Sequence, residues 1–116
     1  MYNEVKIGEK TVPMLSLASV NVYFSQLFHE DPFELQSSDK PQFEFYTKMA
    51  FIMAKYAELK KSNEMRKLTQ DQYVDWLADF EQADFVAALP DVMLTYHSQS
   101  ISMSESKKNT DQPSGE

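Results

Sequence analysis

The sequence predicts a mostly α-helical domain: a small bundle of about four helices, preceded by a short N-terminal β-hairpin and followed by a disordered C-terminal tail. Three observations support this prediction. Apolar residues recur at helical spacing in four stretches between residues 16 and 96. Before residue 14, apolar and polar residues alternate, as they do in a half-buried strand. From residue 99 onward, serine and charged residues dominate, and such a segment buries too little apolar surface to offset the entropy of ordering it.

The hairpin is predicted from Val5 and Ile7, which alternate with polar neighbours, and from the turn signal at Gly8. A second extended run follows the turn and meets Pro13. Because proline cannot donate a hydrogen bond to a ladder, this second strand should be short or lie at an edge. The alternative is a disordered lead-in, since an isolated two-stranded hairpin is marginally stable.

The first two helices follow the hairpin. Ser16 is the predicted N-cap of the first helix, which should end before Pro32. Its apolar residues fall on one face: Leu17, Val20, Phe24, Leu27 and Phe28. The second helix, residues 41–61, follows a weak capping-box match between Asp39 and Gln42. It is apolar on more than one side, which is typical of the most buried helix of a bundle.

The third helix has the clearest start, because Thr69 and Gln72 match a capping box. Its apolar residues occupy positions i, i+3, i+4 and i+7: Tyr73, Trp76, Leu77 and Phe80. The fourth helix covers residues 84–96 and contains Pro90. An interior proline loses one backbone hydrogen bond and clashes with the preceding turn, so this helix should be kinked or divided.

Length and charge restrict the class of protein. The chain has 116 residues, which allows one folded domain over residues 1–98 and a serine-rich tail over residues 99–116. The net charge is −7, which argues against a nucleic-acid partner because phosphate neutralisation dominates such binding. We find no secretory leader and no apolar run approaching the roughly 18 residues of a membrane helix. We therefore expect a cytoplasmic protein that does not bind membranes.

Few residues could carry chemistry. The absence of cysteine excludes thiol nucleophiles and thiolate metal sites, and two glycines are too few for a glycine-rich phosphate loop. His29, Glu30 and Asp31 are potential ligands, but consecutive residues at a helix end point in different directions. His97 lies near a helix end. We therefore expect no catalytic residue, cofactor or metal, and a protein that is not an enzyme.

Protein binding is the better-supported class of function. Asp71, Asp75 and Asp79 form an acidic row, which is either a solvated face or a surface for a basic partner. Seven methionines and fifteen aromatic residues exceed what one small core easily encloses, so some should be exposed. Core packing remains the default for any single one. The candidate partner-binding residues are Met49, Met53, Tyr56, Asp71, Asp75, Asp79 and Met93.

Four segments carry a resemblance to a known family: residues 5–14, 28–32, 49–55 and 76–77. Their order and spacing resemble those of the tail assembly chaperones of long-tailed phages and prophages of Gram-positive bacteria. The likeness extends over about residues 4–97. It identifies a fold and no individual binding residue. Pro90 departs from the continuous last helix expected in this family.

The resemblance implies a small, helical, non-catalytic protein of the bacterial host cytoplasm. Such a chaperone binds the tape measure protein, keeps it soluble, and leaves as tail tube subunits polymerise, so it is absent from the mature virion. The family also uses a translational frameshift, whose longer product recruits the tail tube protein. Residues 107–109, Lys-Lys-Asn, are compatible with a slippery codon sequence at which this frameshift occurs.

Two other functions remain open at this point. A generic helical interaction module, such as a regulator or an antitoxin-like adaptor, would bind one defined protein at fixed stoichiometry. An enzyme would use His29 and nearby carboxylates. A homo-oligomer is compatible with the sequence, as a dimer, a ring or a spiral. The hairpin could pack on its own body or on a neighbouring subunit.

Overall fold

The computed structural model describes residues 1–37 and 42–111, with side chains as far as Ser98 in the last helix. Within these residues the fold is mostly helical and opens with a two-stranded hairpin, which confirms the predicted fold class. The elements are β1 (Tyr2–Ile7), β2 (Lys10–Leu15), α1 (Ser19–Phe28), α2 (Pro32–Gln36), α3 (Gln42–Leu59), α4 (Ser62–Met65), α5 (Gln70–Leu77) and α6 (Gln82–Asp111). The four predicted helices correspond to α1, α3, α5 and α6, and the short helices α2 and α4 lie in the predicted connections.

The register of the hairpin follows from its hydrogen bonds. β1 and β2 are antiparallel, with Ile7 opposite Lys10 across a two-residue turn. Just outside the strands, Met1 and Ser16 exchange both backbone hydrogen bonds, at 2.6 and 2.7 Å. Because hydrogen-bonded pairs alternate with non-hydrogen-bonded pairs, every second residue of β1 directs its N–H and C=O away from β2. These residues are Tyr2, Glu4 and Lys6.

Pro13 lies at an edge, as predicted. It is opposite Glu4, at a non-hydrogen-bonded position, so its nitrogen is on the outer side of β2. The predicted N-cap at Ser16 is wrong. Helix α1 begins at Ser19, after Ala18, whose side chain makes no capping hydrogen bond. Ser16 is fully buried and its hydroxyl donates to the Tyr96 carbonyl at 3.4 Å, so a distant contact replaces the predicted local one.

The hairpin packs along helix α6 of its own body. Gly8 has a φ of +65°, and a Cβ at this position would lie 2.6 Å from Asp84 Oδ2. At the other end of β1, Asn3 Nδ2 donates to Thr95 Oγ1 at 2.9 Å. The strand between Asn3 and Gly8 and the helix between Asp84 and Thr95 each span about 17 Å. β1 and α6 therefore run side by side over this length.

Helix α3 is the centre of the core, as its apolar composition predicts. Its buried residues are Phe45, Tyr46, Thr47, Met49, Ala50, Phe51, Ile52, Met53 and Ala54. The ring of Phe51 contacts the rings of Tyr73 and Trp76, with centroids 5.7 and 5.6 Å apart. These contacts join α3 to α5.

The predicted capping box at the start of α5 is confirmed. Thr69 Oγ1 accepts from the Gln72 backbone N–H at 3.2 Å, and Gln72 Oε1 accepts from the Thr69 N–H at 2.8 Å. The helix ends at Leu77, so Phe80 lies beyond it. Phe80 still packs on Trp76, with ring centroids 5.0 Å apart. It therefore belongs to the aromatic cluster without belonging to the helix.

Helix α6 continues through Pro90, so the proline does not divide it. Its backbone is helical as far as Asp111, while side chains are described up to Ser98. The predicted disordered tail, the domain boundary at residue 98 and the frameshift position at 107–109 therefore stay predictions. Residues 38–41 and 112–116 lie outside the described residues, and with them Asp39 of the weak capping-box match.

Candidate functional site

A groove of about 300 Å³ lies where the hairpin meets the helices. Its lining comes from β2, α3 and α5: Val12, Pro13, Ala54, Lys55, Ala57, Glu58 and Trp76. We call it the Trp76 groove. It is the strongest candidate for a binding site in the part of the chain that the structure describes, because its walls are mainly apolar and it opens to solvent.

The groove is built from small and rigid side chains. Ala54 and Ala57 are three residues apart on α3, so they share a face and leave space above the helix. Trp76 forms one wall. Its ring packs on the rings of Phe51, Phe80 and Phe85, with centroid distances between 5.0 and 5.8 Å. These contacts hold the indole in place, so the groove exists without rearrangement of the core.

Two charges lie at the rim of the Trp76 groove. Lys55 Nζ is 3.5 Å from Glu58 Oε1, and Lys55 also lies over the Phe51 ring, 5.9 Å from its centroid. An ion pair of this exposed kind contributes little to stability. It does place polar groups beside an apolar recess. The arrangement suits an apolar side chain of a partner whose backbone or polar groups meet the rim.

A second recess, of about 260 Å³, lies between α1, α4 and the start of α5. Its lining includes His29 and Arg66, both exposed. The ligand cluster considered for His29 does not converge. Glu30 forms an ion pair with Lys48 at 2.9 Å, and Asp31 accepts from the Phe33 N–H as the N-cap of α2. In the described residues, no group of three or more acidic or histidine side chains could hold a metal ion.

His97 is part of a polar cluster that ties α6 to its neighbours. Its Nε2 is 2.8 Å from the Tyr46 hydroxyl. The adjacent Tyr96 hydroxyl donates to Asn21 and accepts from Gln36. Burial raises the pKa of Tyr96 to about 12, although the hydrogen bond from Gln36 acts in the opposite direction. Burial lowers the pKa of His97. These groups join α6 to α1, α2 and α3, which is a structural role.

The lowered pKa of His97 predicts a pH-dependent stability. The imidazole of His97 binds its proton near pH 6.5 in the unfolded chain and only at lower pH in the native protein. The free energy of unfolding should therefore fall as the pH drops below about 6.5. Urea unfolding between pH 7.5 and 5 measures this loss. His97→Gln keeps a hydrogen-bonding side chain and cannot titrate, so its stability should fall less over that interval. Equal losses in both proteins would contradict the assignment.

Two of the methionines predicted to bind a partner are in the core. Met49 and Met53 have no exposed surface, so a partner cannot contact them in the folded state. The reason is that α3 is the most buried helix, as its apolar residues on more than one side indicate. Tyr56 is half-buried, with its hydroxyl accepting from Ser19 Oγ at 2.8 Å. Met93 is half-buried and packs against the core.

The acidic row is exposed but is not one helical face. Asp71 and Asp75 lie on α5, whereas Asp79 follows the end of the helix. The carbonyl of Asp79 accepts from Lys10 Nζ at 3.1 Å. None of the three carboxylates forms an ion pair with another described residue. The row is thus a solvated surface, and its binding of a basic partner stays a prediction.

The Trp76 groove could not be predicted from the sequence, although Trp76 and its apolar neighbours form part of the predicted third helix. The available signal was the pair of alanines three residues apart near the end of a helix otherwise rich in large residues. That signal alone identifies no groove, because the opposite wall comes from β2, about 40 positions earlier in the chain.

In the described part of the chain, no helix is both long and apolar enough to cross a membrane. Comparison with protein-family models, with curated proteins and with solved structures finds no match to this chain.

Proposed function

We propose that this protein is a phage tail assembly chaperone. It binds the tape measure protein in the bacterial host cytoplasm, keeps it soluble, and leaves before the virion is mature. A longer frameshifted product recruits the tail tube protein. The protein is not an enzyme and needs no cofactor. The observation that carries the proposal is the order and spacing of the four segments that resemble this family.

The Trp76 groove supports the proposal. Three of the four resembling segments contribute to it: residues 5–14 through Val12 and Pro13, residues 49–55 through Ala54 and Lys55, and residues 76–77 through Trp76. Segments that resemble this family and lie far apart in the chain therefore line one apolar recess.

The size of the Trp76 groove suggests how a long target is held. A recess of about 300 Å³ accepts one or two apolar side chains, not a whole folded surface. Each contact is then weak. A long helical target that repeats its apolar residues can engage many copies of the chaperone, and the contacts along one chain add by avidity. Weak individual contacts also allow the chaperone to be displaced as the tube assembles.

Co-expression tests this function. A fragment of the tape measure protein should become soluble when produced with this protein and should precipitate when produced alone. Ala57→Arg fills the Trp76 groove with a long charged side chain, so it should weaken each contact by roughly tenfold, the effect of about 1.4 kcal/mol, and thereby lower the soluble fraction of the fragment. Circular dichroism of the variant should match that of the original protein.

Ala83→Arg is the matched control, because Ala83 is exposed on α6 and lies outside the groove. This variant should solubilise the fragment normally. If the fragment is no more soluble with the original protein than without it, the proposal fails. A complex of one fixed stoichiometry, independent of fragment length, would instead support a generic interaction module.

A further inference from the structure

The outer edge of β1 is available for pairing. Tyr2, Glu4 and Lys6 are exposed, and their backbone N–H and C=O groups point away from β2. These backbone groups form no hydrogen bond with any other described residue. A row of unpaired groups at every second residue is the template that an added strand requires.

The two edges of the hairpin differ. On the outer side of β2 the central position is Pro13, which has no N–H to donate. Proline and bulges are among the means by which proteins protect an edge against strand addition. β1 has no proline, so the same protection is missing there. The hairpin therefore favours strand addition on the β1 side.

Helix α6 provides a surface beneath this edge. Asp84, Ala87, Asp91 and Leu94 follow one another at spacings of three, four and three residues, so they form one stripe along the helix. All four are exposed, Leu94 by 52%. The stripe adjoins the positions that contact the hairpin and faces away from the buried Phe85 and Val92. We call this stripe the edge shelf.

The charge of the edge shelf indicates which side chains would cover it. Asp84 and Asp91 form no ion pair with another described residue, and residues 71–91 contain six acids and no lysine or arginine. A strand above the shelf directs every second side chain towards it. Basic side chains complement the two aspartates, and an apolar side chain covers Leu94. Ala87 leaves room for the stems of the basic residues.

A second copy of this chain does not fit the same edge in antiparallel pairing, which puts both copies of α6 on one face of the joined sheet. If two β1 strands paired side by side, they would lie about 4.8 Å apart. Each would carry its own α6 beneath it, and two packed helices need about 8–10 Å between their axes. The two α6 helices would therefore overlap. A single extended segment carries no such helix.

We propose that β1 accepts a third strand from another protein. This strand is an extended segment that lies over the edge shelf, and the side chains that it directs towards the shelf are first basic and then apolar. This surface is separate from the Trp76 groove, which lies on the β2 side of the hairpin. The inference therefore stands or falls independently of the chaperone function.

Amide hydrogen exchange by NMR tests the proposal. The probe is an acetylated and amidated seven-residue peptide, Thr-Lys-Thr-Lys-Thr-Leu-Thr, which places its lysines and leucine on one side. In the free protein the amides of Tyr2, Glu4 and Lys6 should exchange faster than those of Asn3, Val5 and Ile7. The peptide should slow exchange of Glu4 and Lys6 at least about tenfold. The same peptide with glutamate in place of lysine should have no effect.

Two variants at one position separate the backbone from the side chain. Glu4→Pro removes the central N–H of the free edge, at the position opposite Pro13, so the hairpin can keep its register. It should weaken peptide binding at least about tenfold. Glu4→Ala removes the carboxylate and keeps the N–H, so binding should change by no more than about twofold.

Three results would overturn the proposal. Equal binding by Glu4→Pro and Glu4→Ala would mean that the backbone edge is not used. Unchanged exchange of Glu4 and Lys6 at saturating peptide would mean the same. Protection of these amides that grows with protein concentration in the absence of peptide would identify a second copy as the occupant. Ala57→Arg should leave peptide binding intact, which distinguishes this surface from the Trp76 groove.

Discussion

Replacing Phe51 by alanine is expected to lower the free energy of unfolding by about 3–5 kcal/mol. Phe51 is fully buried on α3, and its ring contacts both Tyr73 and Trp76. The substitution removes these contacts and leaves a cavity between α3 and α5. Because a small domain has about 5–15 kcal/mol of stability, the variant should be close to unfolding at 37 °C. Urea titration followed by circular dichroism measures the change.

Phe33→Ala is the matched control, since the same atoms are removed from a side chain that is 66% exposed on α2. Its free energy of unfolding should change by no more than about 0.5 kcal/mol. Similar losses at Phe51 and Phe33 would contradict the position of Phe51 in the core. Phe51→Ala should also reduce the change in Trp76 fluorescence on unfolding, because the indole loses one of the three rings that hold it in the native state.

Met53→Ala is expected to cost about 2–5 kcal/mol of unfolding free energy, because Met53 has no exposed surface. This result would distinguish a core residue from a partner-binding residue at the same position. If Met53 met a partner, its truncation would reduce binding and leave stability nearly unchanged. The same urea titration measures the stability of the variant, and co-expression with the tape measure fragment measures binding.

Met93→Ala is the useful comparison, because Met93 is only half-buried. This variant should lose less unfolding free energy than Met53→Ala. Both variants should be assayed at a temperature at which they remain folded. Under those conditions Met53→Ala should solubilise the fragment as well as the original protein does. Lost solubilisation at unchanged stability would restore Met53 as a binding residue.

Local signals in the sequence predicted local structure well. The capping box at Thr69 and Gln72 was visible because both partners lie within four residues and each satisfies a backbone N–H of the other. The hairpin was visible for a similar reason: Gly8 permits the positive φ of the turn, and Val5 and Ile7 alternate with polar residues.

Where the structure differs from the sequence-based predictions, contacts between residues far apart in the chain are the cause. Ser16 has the composition of an N-cap, but its hydroxyl is bonded to the Tyr96 carbonyl, 80 positions away. Met49 and Met53 have side chains that suit either a core or a binding surface, and the elements packed around α3 put them in the core. The Trp76 groove needed three elements at once, so no window of sequence could show it.

The side-by-side placement of β1 and α6 has a consequence for synthesis of the chain. The ribosome makes β1 long before residues 84–95 of α6, on which β1 rests. Until α6 emerges, the inner face of β1 lacks the helix that covers it, and an isolated hairpin is only marginally stable. Closure of the domain is therefore a late, non-local event, and such contacts form slowly. Arrested nascent chains in which α6 is still inside the ribosome should consequently be sensitive to protease at the hairpin. Arrested chains of which residues 1–98 have emerged from the ribosome should be resistant.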